Sequence, residues 1–365
     1  MTKRDDENES EAFAISQMTT DWLSRALSAA GVNDAQVLGF RTTPVGTGQA
    51  ALCCRIELDG TARDANLPRS IIGKFPADDE ASRASATQGG TYLREVEFYR
   101  VLQPLVSIRT PRCHLAEIRD RGPEFALLLE DLAPADQGDQ IAGCDEPFAR
   151  EALLQLIGLH APTWRDSAIL KLPWVNSYHP HRAKFMMQIY KHGLPAFLDR
   201  CAHGLTTEEI AFLQRLGQEE EYPCFAENRI FCVVHNDFRL DNFLYEEDRV
   251  ADTLHVVDWQ TYGSGNPMTD VAYFLGGCLL PEVRSAVETE LVAEYHENLT
   301  ASGVTGYTLG ECWDDYRIGA FHGLMYAMAG MVHVTRSERG DEMFATMAQR
   351  HARQVLDLGA DDVLT

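Results

Sequence analysis

Three polar residues within one short stretch have the types and the spacing that phosphoryl transfer requires. Asp237 follows an apolar run at 231–234, Asn242 comes five positions later, and Asp258 ends another apolar run. A carboxylate and an amide oxygen are hard ligands that suit Mg²⁺. A carboxylate outside the metal site can accept a proton from an attacking hydroxyl. The stretch therefore predicts a base, a magnesium site and phosphoryl-transfer chemistry.

Short strands must position these three side chains. The apolar, β-branched run 231–234 is typical of a buried strand, and 243–245 and 253–257 predict two further strands. The polar segment 246–252 predicts the turn between the last two. We expect a loop and a hairpin that bring the two carboxylates and the amide to one place. The alternative for each residue alone is an ordinary polar group in a turn.

Length and composition favour a protein of two lobes. The chain has 365 residues, 45% of them hydrophobic and 24% charged, which is enough for a sizeable core. Residues 1–11 are polar and acidic, so they do not resemble a secretory signal. We expect residues 1–19 to be poorly ordered. No apolar run approaches the roughly 18–20 residues that cross a bilayer, and we expect a cytoplasmic protein without a membrane partner.

Charge and cysteine usage exclude several classes of partner. The net charge is −23, from 55 acidic and 32 basic residues, and such a surface repels nucleic acid and anionic membranes. It can attract a cationic substrate, although solubility alone also explains it. The nine cysteines lack the spacing of metal or redox motifs, so we expect reduced thiols and no zinc site.

The catalytic stretch resembles a known superfamily. His235, Asn236 and Asp237, then Asn242, followed by the segment 257–260, resemble the aminoglycoside phosphotransferase/choline kinase-like superfamily. The resemblance implies an α+β, two-lobed protein-kinase-like fold. A small β-rich N-lobe with one main helix would cover residues 20–131, and a larger, mostly helical C-lobe would cover residues 132–365.

Two features point to one branch of this superfamily. Gln260 and the segment 95–99 resemble the ecdysteroid-kinase-like branch. Trp259 and Gln260 stand where protein kinases have Phe and Gly, which favours a small-molecule kinase. The resemblance to this branch makes classical aminoglycosides less expected as substrates. It does not identify another phosphate acceptor.

In this fold the N-lobe binds the nucleotide. Lys74 lies in an apolar strand, and the resemblance implies that it contacts the α- and β-phosphates and pairs with Glu95 of the next helix. Glu97 is the alternative partner. A glycine turn between two strands can approach a phosphate, and the segment after residue 129 would contact the purine. The residues implied to bind the nucleotide are Gly46, Gly48, Lys74, Glu95, Glu130 and Leu132.

The C-lobe would supply the chemistry. The resemblance implies that Asp237 is the base, that Asn242 and Asp258 hold Mg²⁺, and that His235 and Asp270 support the catalytic loop. A first-turn or N-cap role is the alternative for Asp270. The expected reaction transfers the γ-phosphate of ATP or GTP to a hydroxyl of a small molecule. The choice of nucleotide and the oligomeric state stay open.

Two rival functions remain. One is a non-catalytic, kinase-like nucleotide-binding protein, although intact lysine, base and metal positions argue against it. The other is a hydrolase that binds metals through Asp237 and Asp258, which leaves Lys74 and Glu95 without a role. Helical patterns are predicted from residue 20 to 30, from 147 to 160, and over 181–190, 206–221, 281–299 and 313–334.

Overall fold

Contacts divide the chain into two compact units. The computed structural model describes residues 13–46, 50–62, 67–176, 179–226, 229–333 and 336–364. The smaller unit comprises the described residues up to Pro104 together with Pro111–Ala133, and the larger comprises Leu105–Thr110 and the chain from Pro134 onward. The sequence placed the boundary two residues earlier and did not indicate that 105–110 joins the larger unit.

The smaller unit is built on one antiparallel sheet of five strands in the order β1-β2-β3-β5-β4. Lys74 lies on β3, opposite Cys53 of β2 and Leu127 of β5. It therefore sits in the interior of the sheet. The elements are α1 (Thr20–Ala29), β1 (Gln36–Pro44), β2 (Ala51–Thr61), β3 (Ser70–Pro76), α2 (Glu80–Gly89), α3 (Thr91–Glu97), β4 (Cys113–Ile118) and β5 (Phe125–Glu130), with a π-helix (Phe98–Leu102) that continues α3.

The N-terminal segment corrects one expectation. Residues 1–19 were predicted to be poorly ordered, but Phe13 and Met18 are buried in the same core cluster as Trp22 and Leu23 of α1. A short 3₁₀ helix, Ile15–Gln17, lies between the two buried side chains. The apolar side chains at 13 and 18 thus fix the chain before α1. Residues 1–12 lie outside the described part.

The larger unit is mainly helical. Within its described residues, β6, β8 and β9 form one small antiparallel sheet and β7 pairs with β10. The strands are β6 (Asp136–Gln137), β7 (Cys232–Val234), β8 (Phe243–Tyr245), β9 (His255–Val256) and β10 (Gly263–Gly265). The helices are α4 (Glu146–His160), α5 (Ser167–Leu170), α6 (Arg182–Cys201), α7 (Thr207–Leu216), α8 (Pro223–Ala226), α9 (Val250–Thr253), α10 (Pro267–Cys278), α11 (Pro281–Ala301), α12 (Leu309–Gly319), α13 (His322–His333) and α14 (Glu338–Asp357).

The core of the larger unit is centred on α10, every residue of which is buried. Helices α6, α13 and α14 pack together, with Met325, Met328 and Met331 of α13 in the core. Gly193 of α6 permits this close packing, because a Cβ there would lie 2.3 Å from the Met328 carbonyl oxygen. The strand-rich smaller unit and the helical larger unit confirm the predicted α+β class, with a β-rich N-terminal part and a mostly helical C-terminal part.

Four predicted elements were wrong in detail, and one of them, the helix predicted over 206–221, ends at Leu216. The strand predicted over 253–257 is only His255–Val256, because α9 takes the residues up to Thr253. The helix predicted over 313–334 is two helices, and the Phe321 carbonyl between them accepts a hydrogen bond from Tyr222. The helix predicted to end at 190 continues through Pro195 to Cys201.

None of the described helices has both the length and the apolar character needed to cross a bilayer.

Candidate active site

A two-stranded hairpin aligns the two residues predicted to bind metal. Strands β8 and β9 are antiparallel, with Phe243 opposite Val256. The Val257 N–H donates to the Asn242 carbonyl at 2.9 Å, which extends the pairing by one step. Asn242 and Asp258 therefore lie at the same end of the hairpin. The Asp258 carboxylate accepts a hydrogen bond from the Gln260 side chain at 2.9 Å.

Asp237 is held by three donors. Its Oδ1 accepts from the Tyr273 hydroxyl at 2.8 Å and from Arg239 Nε at 3.0 Å, while its Oδ2 accepts from Asn242 Nδ2 at 2.9 Å. Burial alone would favour the neutral acid, but the Arg239 charge and these hydrogen bonds outweigh it and lower the pKa of Asp237. The side chain is thus an oriented carboxylate rather than a carboxylic acid.

Asp270 braces the loop that carries Asp237. Its two carboxylate oxygens accept hydrogen bonds from the backbone N–H groups of His235, at 2.6 Å, and Asn236, at 2.8 Å. Its Oδ2 also lies 3.2 Å from Nε2 of His160, and both side chains are fully buried. Asp270 thus contacts His235 through the backbone of the loop, and the histidine ring beside its carboxylate is that of His160 of α4.

His235 links the loop to the hairpin instead. Its Nδ1 accepts from the Asp237 N–H at 3.3 Å, which leaves Nε2 to donate to the Val257 carbonyl at 3.2 Å. The ring also makes an edge contact with Trp259, with centroids 4.6 Å apart. His235 therefore connects the backbone of the predicted base to the strand that precedes Asp258.

A second network of hydrogen bonds and ion pairs, which the sequence did not reveal, holds the loop at Leu240 and Asp241. Arg239 donates to Asp241 at 2.9 Å, and Arg339 of α14 donates to the same carboxylate at 3.1 Å. Gln140 is buried, and it accepts from the Leu240 N–H at 3.1 Å and donates its own N–H to Asp241 at 3.0 Å. Only the adjacency of Arg239 and Asp241 is visible in the sequence.

Aromatic side chains from three helices, α10, α13 and α14, lie next to the loop that carries Asp237. Tyr273 stacks on His351, with centroids 5.5 Å apart, and makes an edge contact with His322 at 5.4 Å. Tyr326 lies 4.8 Å from His322. The Nε2 of His322 donates to the Asn236 carbonyl at 2.8 Å. These residues tie the loop to α13 and α14, which the sequence did not predict.

We expect the free energy of unfolding to decrease as the pH falls, because His322 is buried as a neutral ring. Burial lowers the pKa of His322 to about 4, whereas in the unfolded chain the ring takes up a proton near a pKa of about 6.5. The stability from the neutral ring is therefore complete above about pH 6.5 and is lost as the pH falls toward 4. At pH 5 the loss is about 2 kcal/mol of unfolding free energy, measurable by urea unfolding.

The His322→Gln variant is the matched control. Glutamine keeps an N–H donor for the Asn236 carbonyl but cannot take up a proton. Between pH 7 and pH 5 the variant should lose about 2 kcal/mol less than the unchanged protein. Equal losses in both proteins would show that other groups cause the pH dependence.

The smaller unit contains the expected lysine–glutamate pair. Lys74 Nζ lies 2.7 Å from the Glu95 carboxylate, and the side chains are 13% and 2% exposed. Glu97, the alternative partner, pairs instead with Arg100 at 3.0 Å. The placement of Glu95 on the buried side of α3 decides between the two. A buried lysine needs such a partner, because an unpaired charge there would be costly.

For the other residues that the resemblance implies to bind nucleotide, the structure gives less support than for the Lys74–Glu95 pair. Gly46 has a φ of 73°, a conformation that favours glycine. Gly48 lies outside the described residues. The Glu130 N–H donates to the Arg112 carbonyl at 2.8 Å, and the half-buried Leu132 follows. A role for these residues with the nucleotide stays a prediction.

The donor atoms at the hairpin suit Mg²⁺ more than a transition metal. Asn242 and Asp258 offer an amide oxygen and a carboxylate, and Mg²⁺ is commonly bound by one or two such groups together with substrate phosphates. No group of three or more His, Cys, Asp or Glu side chains within the described ranges could hold a metal by itself. The two hairpin residues therefore fit a metal that arrives with the nucleotide.

Solved structures of small-molecule kinases share this fold. A microcompartment-associated aminopropanol kinase is 14% identical, with a TM-score of 0.56 over 93% of this chain and 98% of that one. The GDP complex of aminoglycoside 2′-phosphotransferase-IIIa is 14% identical, with a TM-score of 0.53 over 86% and 94%. A Plasmodium vivax ethanolamine kinase is 8% identical, with a TM-score of 0.50 over 86% and 82%. Such low identities show the fold and leave the substrate open.

The family comparison is more specific. Comparison with curated proteins finds no match. The model of the ecdysteroid kinase-like family matches residues 46–303, a segment that includes both the Lys74–Glu95 pair and the hairpin of β8 and β9. This match confirms the resemblance seen in the sequence. Since it covers well over half of the 365 residues, the chain belongs to the ecdysteroid kinase-like family.

Proposed function

We propose that this protein transfers the γ-phosphoryl group of a nucleoside triphosphate, ATP or GTP, to a hydroxyl of a small molecule. Asp237 serves as the base, and Asn242 and Asp258 hold Mg²⁺. Lys74, oriented by Glu95, holds the α- and β-phosphates. The observation that carries the proposal is the state of Asp237, an ionised carboxylate fixed by Arg239, Tyr273 and Asn242 beside the metal-type hairpin.

The chain's own groups supply orientation and charge. The acceptor hydroxyl donates its proton to the Asp237 carboxylate as its oxygen forms a bond to the γ-phosphorus. The bond from the γ-phosphorus to the bridging oxygen breaks, and the nucleoside diphosphate leaves. Bound Mg²⁺ would neutralise charge on the phosphate oxygens. Because the pKa of Asp237 is lowered, its main contribution is to align the hydroxyl, which suits a loose phosphoryl-transfer transition state.

Thermal unfolding with nucleotide and metal tests the proposal. We expect Mg²⁺ together with ATP or GTP to raise the unfolding midpoint, because a ligand that binds only the native state stabilises it by mass action. Each component alone should have a smaller effect. At a nucleotide concentration about 100 times Kd, the gain is about 2.7 kcal/mol.

The Lys74→Met variant is the matched control, because it removes the group proposed to hold the phosphates. It should lose most of the nucleotide-dependent shift. No shift at millimolar nucleotide in the unchanged protein would contradict the proposal. A shift without any release of diphosphate across a broad acceptor screen would favour the non-catalytic, nucleotide-binding alternative.

A further inference from the structure

Arg182, the first residue of α6, is a half-buried guanidinium without an acidic partner in the described part of the chain. Its Cζ lies 4.4 Å from the centroid of the Phe225 ring, within the range of a cation–π contact. Most other arginines of the larger unit form ion pairs, including Arg150, Arg200 and Arg284. Arg182 thus differs from them in having an aromatic ring instead of a carboxylate beside it.

A chain of contacts places Arg182 on the Asp237 side of the larger unit. Phe225, which carries the guanidinium, makes an edge contact with His322 at 5.9 Å. His322 in turn contacts Tyr273, whose hydroxyl donates to Asp237 at 2.8 Å.

Tyr326 lies among the same groups. Burial raises the pKa of its hydroxyl, and the charges of Asp237 and Arg182 both act on it in opposite directions. Arg182 and Asp237 are therefore linked through one cluster of aromatic side chains, formed by Phe225, His322 and Tyr273.

The position gives Arg182 little stabilisation from its surroundings. Burial lowers its pKa, and the groups that oppose this are Cys224 and Tyr326 rather than a carboxylate. The first turn of α6 contains no acidic residue, and a positive charge at a helix N-terminus is unfavourable. A guanidinium that stacks on a ring keeps its N–H edge for a partner in its own plane. The matching partner is an oxyanion, which accepts two parallel hydrogen bonds.

We propose that Arg182 binds an oxyanion of the acceptor, so that the substrate is a hydroxyl compound carrying a carboxylate or a phosphate ester. The inference rests on the proposed kinase function and narrows its substrate class. Arg182 would act as a specificity residue that positions the acceptor, while Asp237 contacts the reacting hydroxyl. Neutral polyols and amino alcohols lack the group that this guanidinium selects.

Diphosphate release with four acceptor classes tests the proposal. The panel contains hydroxy carboxylates, polyol phosphate monoesters, neutral alcohols including sterols, and amino alcohols, each with Mg²⁺ and the nucleotide that stabilises the protein. We expect turnover in one of the two anionic classes, and the class that reacts identifies the oxyanion. The Arg182→Gln change should raise the KM for that acceptor by about 10- to 100-fold, with a smaller effect on kcat, because a charge-assisted pair is lost.

Three controls accompany this measurement. Lys184→Gln removes an exposed positive charge two residues away that pairs with Glu221, and it should leave the acceptor KM unchanged. An unaltered nucleotide-dependent thermal shift in Arg182→Gln shows that the variant is folded, and Arg182→Lys should recover part of the lost affinity.

The possible results separate the two proposals. Turnover with neutral or cationic acceptors alone would overturn the role of Arg182, while the turnover itself would still support a kinase. An anionic acceptor whose KM is insensitive to Arg182→Gln would do the same. Absence of the nucleotide shift would instead overturn the proposed function.

Discussion

The Asp237→Asn variant is expected to reduce kcat for phosphoryl transfer by about 10²- to 10⁴-fold, the usual contribution of a positioned base. Asparagine keeps the shape of the side chain and one oxygen that can accept from Tyr273 and Arg239, but its NH2 group replaces the oxygen that accepts from Asn242, and it cannot take the proton of the acceptor. Nucleotide affinity should change little, because Lys74, Asn242 and Asp258 remain. The initial rate of diphosphate release and the nucleotide-dependent thermal shift measure the two effects separately.

Asp248→Asn is the matched control for loss of a negative charge. Asp248 is exposed on the segment between β8 and β9, at the turn of the hairpin and opposite the end that carries Asn242 and Asp258. Its replacement should leave the rate within about twofold, since exposed charges are screened. Normal turnover in Asp237→Asn would remove Asp237 from the role of base. A parallel loss of the nucleotide shift would instead indicate that the substitution disturbs Asn242.

The hairpin could be predicted from sequence because its parts are close along the chain. Asp237, Asn242 and Asp258 fall within one short stretch, and two of its apolar runs correspond to β7 and β8. The Lys74–Glu95 pair was implied by the resemblance, and the structure brings the two side chains to 2.7 Å. Local periodicity and local polarity therefore contain most of the information about these residues.

The supporting groups could not be predicted in this way. His160 and Asp270 are 110 residues apart, and Gln140 and Asp241 are 101 apart, so only tertiary packing brings them together. Their side chains are polar yet buried, a pattern that looks like ordinary core or turn chemistry in a single sequence. Arg182 is a further case, because it has no ion-pair partner among the described residues, which no local pattern reveals.

The acidic composition and the inferred acceptor charge act over different distances. A net charge of −23 would repel an anionic acceptor at long range. Salt screens exposed charges beyond about 8 Å at physiological ionic strength. Salt screens a contact with the half-buried Arg182 less than it screens contacts between exposed charges. The lower polarity around Arg182 also strengthens such a contact. The acidic surface therefore gives no sound basis for choosing a cationic acceptor, and the local environment of Asp237 is the better guide.

The Asp270→Ala variant is expected to lower the free energy of unfolding by about 3–5 kcal/mol. The change removes the acceptor for the backbone N–H groups of His235 and Asn236 and the partner of the His160 ring, all of them buried. Each buried donor left unsatisfied costs about 1–3 kcal/mol. Because the same N–H groups fix the loop that carries Asp237, kcat should fall as well. Urea unfolding and the rate of diphosphate release measure the two losses.

The Glu282→Ala variant distinguishes this brace from an ordinary helix-terminus effect. Glu282 is exposed in the first turn of α11, just as Asp270 lies in the first turn of α10, whose N-cap is Asn266. A first-turn acid that only interacts with the helix dipole contributes about 0.3–1 kcal/mol. If Asp270→Ala costs no more than Glu282→Ala, the brace is wrong and Asp270 acts only at the helix end. A loss several times larger, accompanied by a lower kcat, requires the hydrogen bonds to the loop that carries Asp237, because the helix dipole acts on both residues alike.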